Sequence, residues 1–334
     1  MPASFRSICG RRISGHSLLC AGGLALFAGA EGMSFPFYFP LGILLLDDDP
    51  IFLDTTARAL SYLLPGRKIH KMTSGVAAVQ FLEKNALDFT SLPIEVKFDS
   101  ADAHGETKFV ASDLTNLDAL QGHTGQIGIV ITDYAMPEMN GIEFSRKIAR
   151  HNNIHKILLT GQATTEEALN GFNNGLIDRY VAKYNANFLA LLKEYVLELE
   201  NQFFYKSNRQ FKQLIGENAL PYLADENVNQ ALAALCSSLN AAMIAPSFSP
   251  PGIFISTTSR ERYLIAVLDI DFIASRVEIA EMENVAQEMI NTIDDRTHIY
   301  LPGLDHIGPA NLSSTGFYPM SHLSDGMYYL KIPV

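Results

Sequence analysis

From Leu41 onward, short runs of consecutive apolar residues alternate with stretches in which apolar residues recur every three or four positions. Ile43-Leu44-Leu45-Leu46 is the first run, and it ends on Asp47-Asp48-Asp49-Pro50. A helix pattern follows, with Phe52, Ala59, Leu60, Leu63 and Leu64 on one side and Pro65-Gly66 as its stop. Arg67 to Met72 reads as the second strand, and Val76, Val79, Phe81 and Leu82 mark a second helix. Ile127 to Ile131 is another continuous run, ending on Thr132-Asp133. Ile142 to Ile148 reads as a helix, Ile157-Leu158-Leu159 as a strand ending on Thr160, and Ala163 to Phe172 as a helix. Arg179 to Ala182 is a fifth strand, ending on Lys183, and Phe188 to Leu199 is a strong helix. A strand with one face in water alternates polar and apolar residues; continuous apolar runs need both faces covered. The pattern therefore predicts an α/β fold, a doubly wound parallel sheet with helices on both sides.

Beyond Leu199 the helical spacing continues through Phe203, Phe204, Phe211, Leu214 and Ile215 to Gly216. A linking helix over 201–216 can serve as a rigid link, as a dimer helix, or as an amphipathic element packed within one chain. Residues 217–334 read as a separate C-terminal α+β domain. Asp225 to Ala242 is a helix with an Ala/Leu face, and Ser247 to Gly252 is a break. Ile253–Ser256 and Tyr263–Leu268 are hairpin strands around Thr258 to Glu261, and Arg276 to Ile293 is helical. The last stretch is strand and loop.

Composition narrows the functions open to such a chain. Its 334 residues exceed one ordinary core and call for two domains. A net charge of −11 argues against an electrostatic partnership with nucleic acid or an anionic membrane. Residues 207–334 carry seven Lys and Arg against fourteen Asp and Glu, a net of −7, so the basic face that DNA recognition needs is missing there. Three cysteines cannot make a disulfide framework. The first 32 residues differ from the rest: Arg6, Arg11 and Arg12 precede an apolar stretch from Leu18 to Ala30, the shape of a secretory signal. They read as a non-structural leader or as a mis-called start, with translation beginning at Met33 and Cys236 left as the single thiol.

In open parallel sheets, ligands bind beyond the carboxyl ends of the strands. Those ends hold Asp47 and Asp48, Asp133, Thr160 and Lys183. Carboxylates gathered this closely repel one another, so the site calls for a divalent cation, and oxygen ligands suit Mg2+. One carboxylate could then attack a phosphoryl group, whose oxygens the metal, a hydroxyl and a lysine would hold.

Asp47-Asp48 after an apolar strand, Asp133-Tyr134-Ala135-Met136-Pro137, Leu159-Thr160-Gly161 and Tyr180-Val181-Ala182-Lys183 together resemble the receiver domain of two-component response regulators. The likeness covers roughly residues 41–200 and implies a five-stranded, flavodoxin-like sheet. It also implies roles: Asp133 the phosphoacceptor, Asp48 a ligand of Mg2+, Asp47 a ligand mainly through water, and the Ala135 carbonyl a further ligand. Thr160 would bind a phosphoryl oxygen, Lys183 would pair with the phosphoryl group, and Thr160 and Tyr180 would be the switch residues. Each piece also has a plain structural reading. Asp49-Pro50 can simply cap the first helix, Met136 and Met139 can be loop-edge packing, Gly141 can serve a tight turn, and Tyr180 can be an ordinary edge aromatic.

Two departures stand out. Tyr184 follows the lysine where receivers commonly have Pro. Asp48 and Asp133 stand 85 residues apart, about 40 more than the resemblance leads one to expect. The surplus, taken as an insertion over 92–126, is expected to be ordered, with a hairpin from Ile94 to Val110, because long structureless loops are uncommon.

The resemblance implies a bacterial, cytoplasmic phosphorelay protein that takes its phosphoryl group from a sensor histidine kinase. Homodimerisation would follow through the fourth helix, fifth strand and fifth helix of the receiver. No catalytic motif is found after residue 216, so the C-terminal region reads as an output module with an unknown partner, not as an enzyme. An output acting on a signalling nucleotide, or a protein-binding adaptor of the quorum-sensing kind, are the alternatives. His298, Asp305, His306 and His322 have no metal-ligand spacing and read as scattered surface groups.

Overall fold

The computed structural model describes residues 37–87, 97–99, 108–110, 123–161, 165–215, 220–248, 250–302 and 316–334. The expected leader at 1–32, Gln162 and Ala163, Asp305 and His306, and most of the insertion lie outside these.

Five parallel strands form the first sheet, in the order β2-β1-β5-β6-β7. They are β1 (Gly42–Leu46), β2 (Ile69–Met72), β5 (Ile127–Asp133), β6 (His155–Thr160) and β7 (Arg179–Ala182). Two helices, α1 (Pro50–Leu63) and α5 (Phe188–Ile215), lie against one face. There Leu53, Leu60, Leu192, Val196 and Leu199 meet Ile43, Leu45, Ile129, Ile131, Ile157 and Leu159. On the other face, α2 (Gly75–Asn85) and α3 (Gly141–Lys147) pack Ala78, Leu82, Phe144 and Ile148 on Leu44, Leu46 and Val130. Alternate residues of β1 thus feed opposite cores, which is why its sequence is apolar throughout. The short helix α4 (Thr165–Asn173) stands beside β6 and β7. This is the doubly wound, flavodoxin-like arrangement expected.

Between α2 and the third strand of this sheet, the short strands β3 (Lys97–Asp99) and β4 (Lys108–Val110) pair antiparallel, inside the span expected to form a hairpin.

A second, antiparallel sheet has the order β13-β14-β10-β9-β8. It consists of β8 (Ala241–Phe248), β9 (Pro251–Thr257), β10 (Arg262–Asp269), β13 (Ser321–Ser324) and β14 (Met327–Pro333). The helices α6 (Glu226–Ser238), α7 (Ile270–Met282) and α8 (Gln287–Asp294) and the pair β11 (His298–Tyr300) and β12 (Phe317–Pro319) complete this part. Two expectations are corrected here. The helix expected to run to Ala242 stops at Ser238, because Asn240 takes a left-handed φ of 51° and the chain turns into β8. Ala241-Ala242-Met243 continues the Ala/Leu pattern of the helix, which hid the strand. The helix expected over 276–293 is two helices, starting earlier at Ile270 and interrupted near Asn284, whose φ is 56°.

One apolar core joins the two sheets. Phe37, Tyr38 and Phe39 are buried in it with Phe203, Phe204 and Phe211 of α5 and with Ile244 and Phe254 of the second sheet. Residues 201–215 of the expected linking helix are the last part of one 28-residue helix, whose Phe203, Phe204 and Phe211 pack within their own chain.

Candidate functional site

The triple acid after β1 divides into three local environments. Asp47 is fully buried, and its Oδ1 accepts from the Asp49 N–H at 3.0 Å. Asp48 is exposed. Asp49 caps α1: its Oδ1 accepts from the Ile51 and Phe52 N–H groups at 2.8 and 3.2 Å, with Pro50 at the first helical position. The capping reading of Asp49-Pro50 holds, and it leaves Asp47 and Asp48 for the site.

Asp133 ends β5 and is 5% exposed. The chain behind it is held by Tyr134 N–H to Leu159 O and Gly141 N–H to Tyr134 O, both at 2.9 Å. A Cβ at position 141 would lie 2.4 Å from the Asp133 carbonyl oxygen and 2.6 Å from Leu158 Cδ1, so this turn admits only glycine without rearrangement. Asn140 and Glu143 form a capping box that starts α3 immediately afterwards. Met136 and Met139 are buried against α2 with Ala78 and Leu82 and fasten the loop to the sheet. Ala135 lies exposed in that loop, two residues past Asp133.

Lys183 follows β7 and closes the cluster. Its Nζ donates to Asp47 Oδ2 at 2.6 Å and lies 2.9 Å from Asp133 Oδ1. The ammonium also sits 4.5 Å from the centre of the Phe52 ring, a cation–π contact that its sequence position did not suggest. Burial disfavours the charge on Lys183, yet its hydrogen bonds to Asp47 and Asp133 outweigh this and raise its pKa. Asp133 is pushed above the usual carboxylate value mainly by burial; Lys183 opposes that shift, and Asp47 and Asp48 add to it.

Thr160 ends β6, buried, and its carbonyl accepts the Lys183 N–H at 2.9 Å. Gly161 beside it is exposed, and a Cβ there would meet none of the described residues beyond its chain neighbours within 4 Å. Tyr180 pairs with Leu158 and Ala182 with Thr160 across β6 and β7, so Tyr180 shares a sheet face with Thr160; its ring is 37% exposed. The loop that carries Tyr184 instead of proline is a turn closed by Asn185 N–H to Ala182 O at 3.0 Å.

One oxygen from each of Asp47, Asp48 and Asp133 lies within 4.8 Å of the others. Three carboxylates against one ammonium leave the pocket short of positive charge, and an all-oxygen donor set is what a hard divalent cation takes. The residues present therefore fit Mg2+.

The family model for the response regulator receiver domain matches residues 102–191. This chain carries a response regulator receiver domain. The match starts inside the insertion and leaves out β1, α1, β2 and α2, and with them Asp47 and Asp48; the sheet order returns those elements to the receiver. The solved structure of the Legionella pneumophila response regulator LqsR is similar over 91% of both chains, with 20% sequence identity and a TM-score of 0.65, a likeness of fold that extends through the second sheet. An adenylate cyclase structure from Rhodopirellula baltica is 19% identical with a TM-score of 0.36, over 52% of this chain and 99% of its own. A CheY-like receiver from Methanospirillum hungatei is 20% identical with a TM-score of 0.33, over 49% and 98%. No curated protein matches the sequence.

Outside the receiver site, His298 is partly buried and His322 exposed, with His322 against the Tyr328 ring. They lie on different sheet pairs, in keeping with scattered groups.

Proposed function

We propose that this protein is a phosphorylation-dependent response regulator in which Asp133 accepts the phosphoryl group. The observation that carries the reading is Lys183 bridging Asp47 and Asp133 at 2.6 and 2.9 Å, with Asp48 in the same oxygen cluster, at the carboxyl ends of the strands. An Asp133 carboxylate oxygen forms the new P–O bond as the P–N bond of a phosphohistidine on a sensor kinase breaks, its electron pair leaving with the imidazole. Lys183 pairs with the incoming phosphoryl oxygens, and Thr160 turns its hydroxyl to one of them in the space left by Gly161. Asp47, Asp48, Asp133 and the Ala135 carbonyl would hold Mg2+, which supplies positive charge against the phosphoryl oxygens.

Tyr180 then follows Thr160. With Leu169, Phe172 and Tyr184, which are 41%, 43% and 66% exposed, it presents an apolar face on α4, β7 and the loop before α5, suited to a second copy of the chain. Phosphorylation biases that face between two states. The C-terminal sheet is the output module. Its acidic surroundings favour a protein partner over DNA, and the chain works in the cytoplasm, where a kinase reaches Asp133. Among the described residues no helix is long and apolar enough to cross a membrane.

An acyl phosphate donor with Mg2+ tests this. Wild type should take up label and Asp133→Asn should not, and chelating the metal should abolish the reaction. Equal labelling of Asp133→Asn, or labelling in excess chelator, would refute it.

A further inference from the structure

Glu200, in the middle of α5, is fully buried and collects four hydrogen bonds. Arg67, before β2, donates Nε at 3.3 Å and a terminal nitrogen at 2.5 Å. The Tyr38 hydroxyl lies at 3.2 Å and the Leu41 N–H at 2.9 Å. Two of these donors belong to the segment 37–41 that precedes β1. That strap is held along its length. Asn208 of α5 accepts from the Phe37 N–H at 3.3 Å and donates to its carbonyl at 3.2 Å. Tyr38 exchanges both backbone bonds with Ile244 of β8, at 2.9 and 2.8 Å. Phe37 packs edge-on against Phe204 and Phe211, and Phe39 against Phe204.

The other end of α5 meets the acid site. Lys183 leads into α5 through the Asn185 turn, and Phe52, beneath its ammonium, packs on Phe188, the first residue of α5, at 5.8 Å. A 28-residue helix at 1.5 Å per residue is about 42 Å long. It touches the site at its first residue and the strap from Glu200, at its middle, to Phe211, and the strap hydrogen-bonds the edge of the second sheet. The apolar core is continuous across this junction, so release of a separate output domain would expose the strap's aromatic rings and break the backbone bonds between Tyr38 and Ile244.

We propose that α5 and the 37–41 strap, locked together by Glu200, Arg67 and Tyr38, transmit the phosphorylation state of the receiver to β8 without separation of the two sheets. The inference rests on the phosphoacceptor reading above and specifies how that site would be read out. Lys183 changes its partners when Asp133 is modified, Phe52 and Phe188 move with it, and the strap shifts against Ile244. Coupling of this kind needs an element whose balance both ends influence, and α5 is held at both.

Hydrogen–deuterium exchange on the full chain, with and without acetyl phosphate and Mg2+, measures it. In labelled wild type, amides of 241–257 should change exchange rate by about 5-fold or more, the low end of ordinary allosteric coupling. Glu200→Gln should label at Asp133 as wild type does and lose the change in β8. Tyr38→Phe, which removes one hydroxyl and keeps the ring, should do the same if Glu200→Gln does not fold. A folded variant that keeps the full change, or labelled wild type with no change in 241–257, overturns the proposal while leaving the phosphoacceptor reading intact. Failure of wild type to label overturns both.

Discussion

Arg67→Met isolates the energetics of the junction. The Arg67 and Glu200 side chains are 7% and 0% exposed, so the substitution leaves a carboxylate out of water and, among the described residues, with only the Tyr38 hydroxyl and the Leu41 N–H as donors. Burial and the Glu200 carboxylate pull the Arg67 pKa in opposite directions, and the carboxylate prevails, so the guanidinium is charged in the fold. Breaking a buried pair from one side costs about 3–5 kcal/mol, because the remaining ion stays desolvated. Adding Glu200→Gln removes that stranded charge while keeping an acceptor for Leu41. The double variant should then lose only ordinary hydrogen bonds, about 1–2 kcal/mol. Urea denaturation followed by far- and near-ultraviolet circular dichroism reads both numbers, and the continuous core predicts that the two signals move together. A loss under 1 kcal/mol for Arg67→Met would sink the argument, as would a double variant at least as unstable as the sum of the single ones.

Asp49→Ala removes the cap of α1 and should cost about 1 kcal/mol, with phosphoryl labelling unchanged, whereas Asp48→Asn should lose labelling and keep stability; the opposite pattern would show the triple acid divided wrongly. For pH, the sign follows from Asp133. Its folded pKa is raised, so the neutral form is favoured in the fold, and that contribution falls away as pH rises from the usual carboxylate value, about 3.9, through the raised one. Without added metal, Asp133→Asn should therefore unfold at higher urea than wild type at pH 7, the gap closing below about pH 4. An Asn variant weaker than wild type at neutral pH would contradict the sign.

Much of the receiver was legible along the chain. Three strands of the parallel sheet, β1, β5 and β6, carry local apolar runs that stop at Asp47, Asp133 and Thr160, and Lys183 directly follows the short strand β7, so these four could be placed at one edge before any contact was known. The breaks in the C-terminal part were harder to see. Asn240 and Asn284 end helices through backbone angles that leave little trace in hydrophobic spacing. Ala241-Ala242-Met243 suits a helix face as well as an edge strand.

Spacing over a few residues was enough to mark the main secondary elements of the receiver and the residue types at its acid site. Tertiary structure decided which acid does what. Asp47 and Asp49 differ only in that one lies under Lys183, 136 positions away, and the other at the first turn of α1. It also decided that the two sheets share a core. Glu200 reads as one more polar position on an amphipathic helix until Arg67 and Tyr38, 133 and 162 residues earlier, close over it. A buried charge is tolerable only with its partners, and those partners become visible only when the chain has folded.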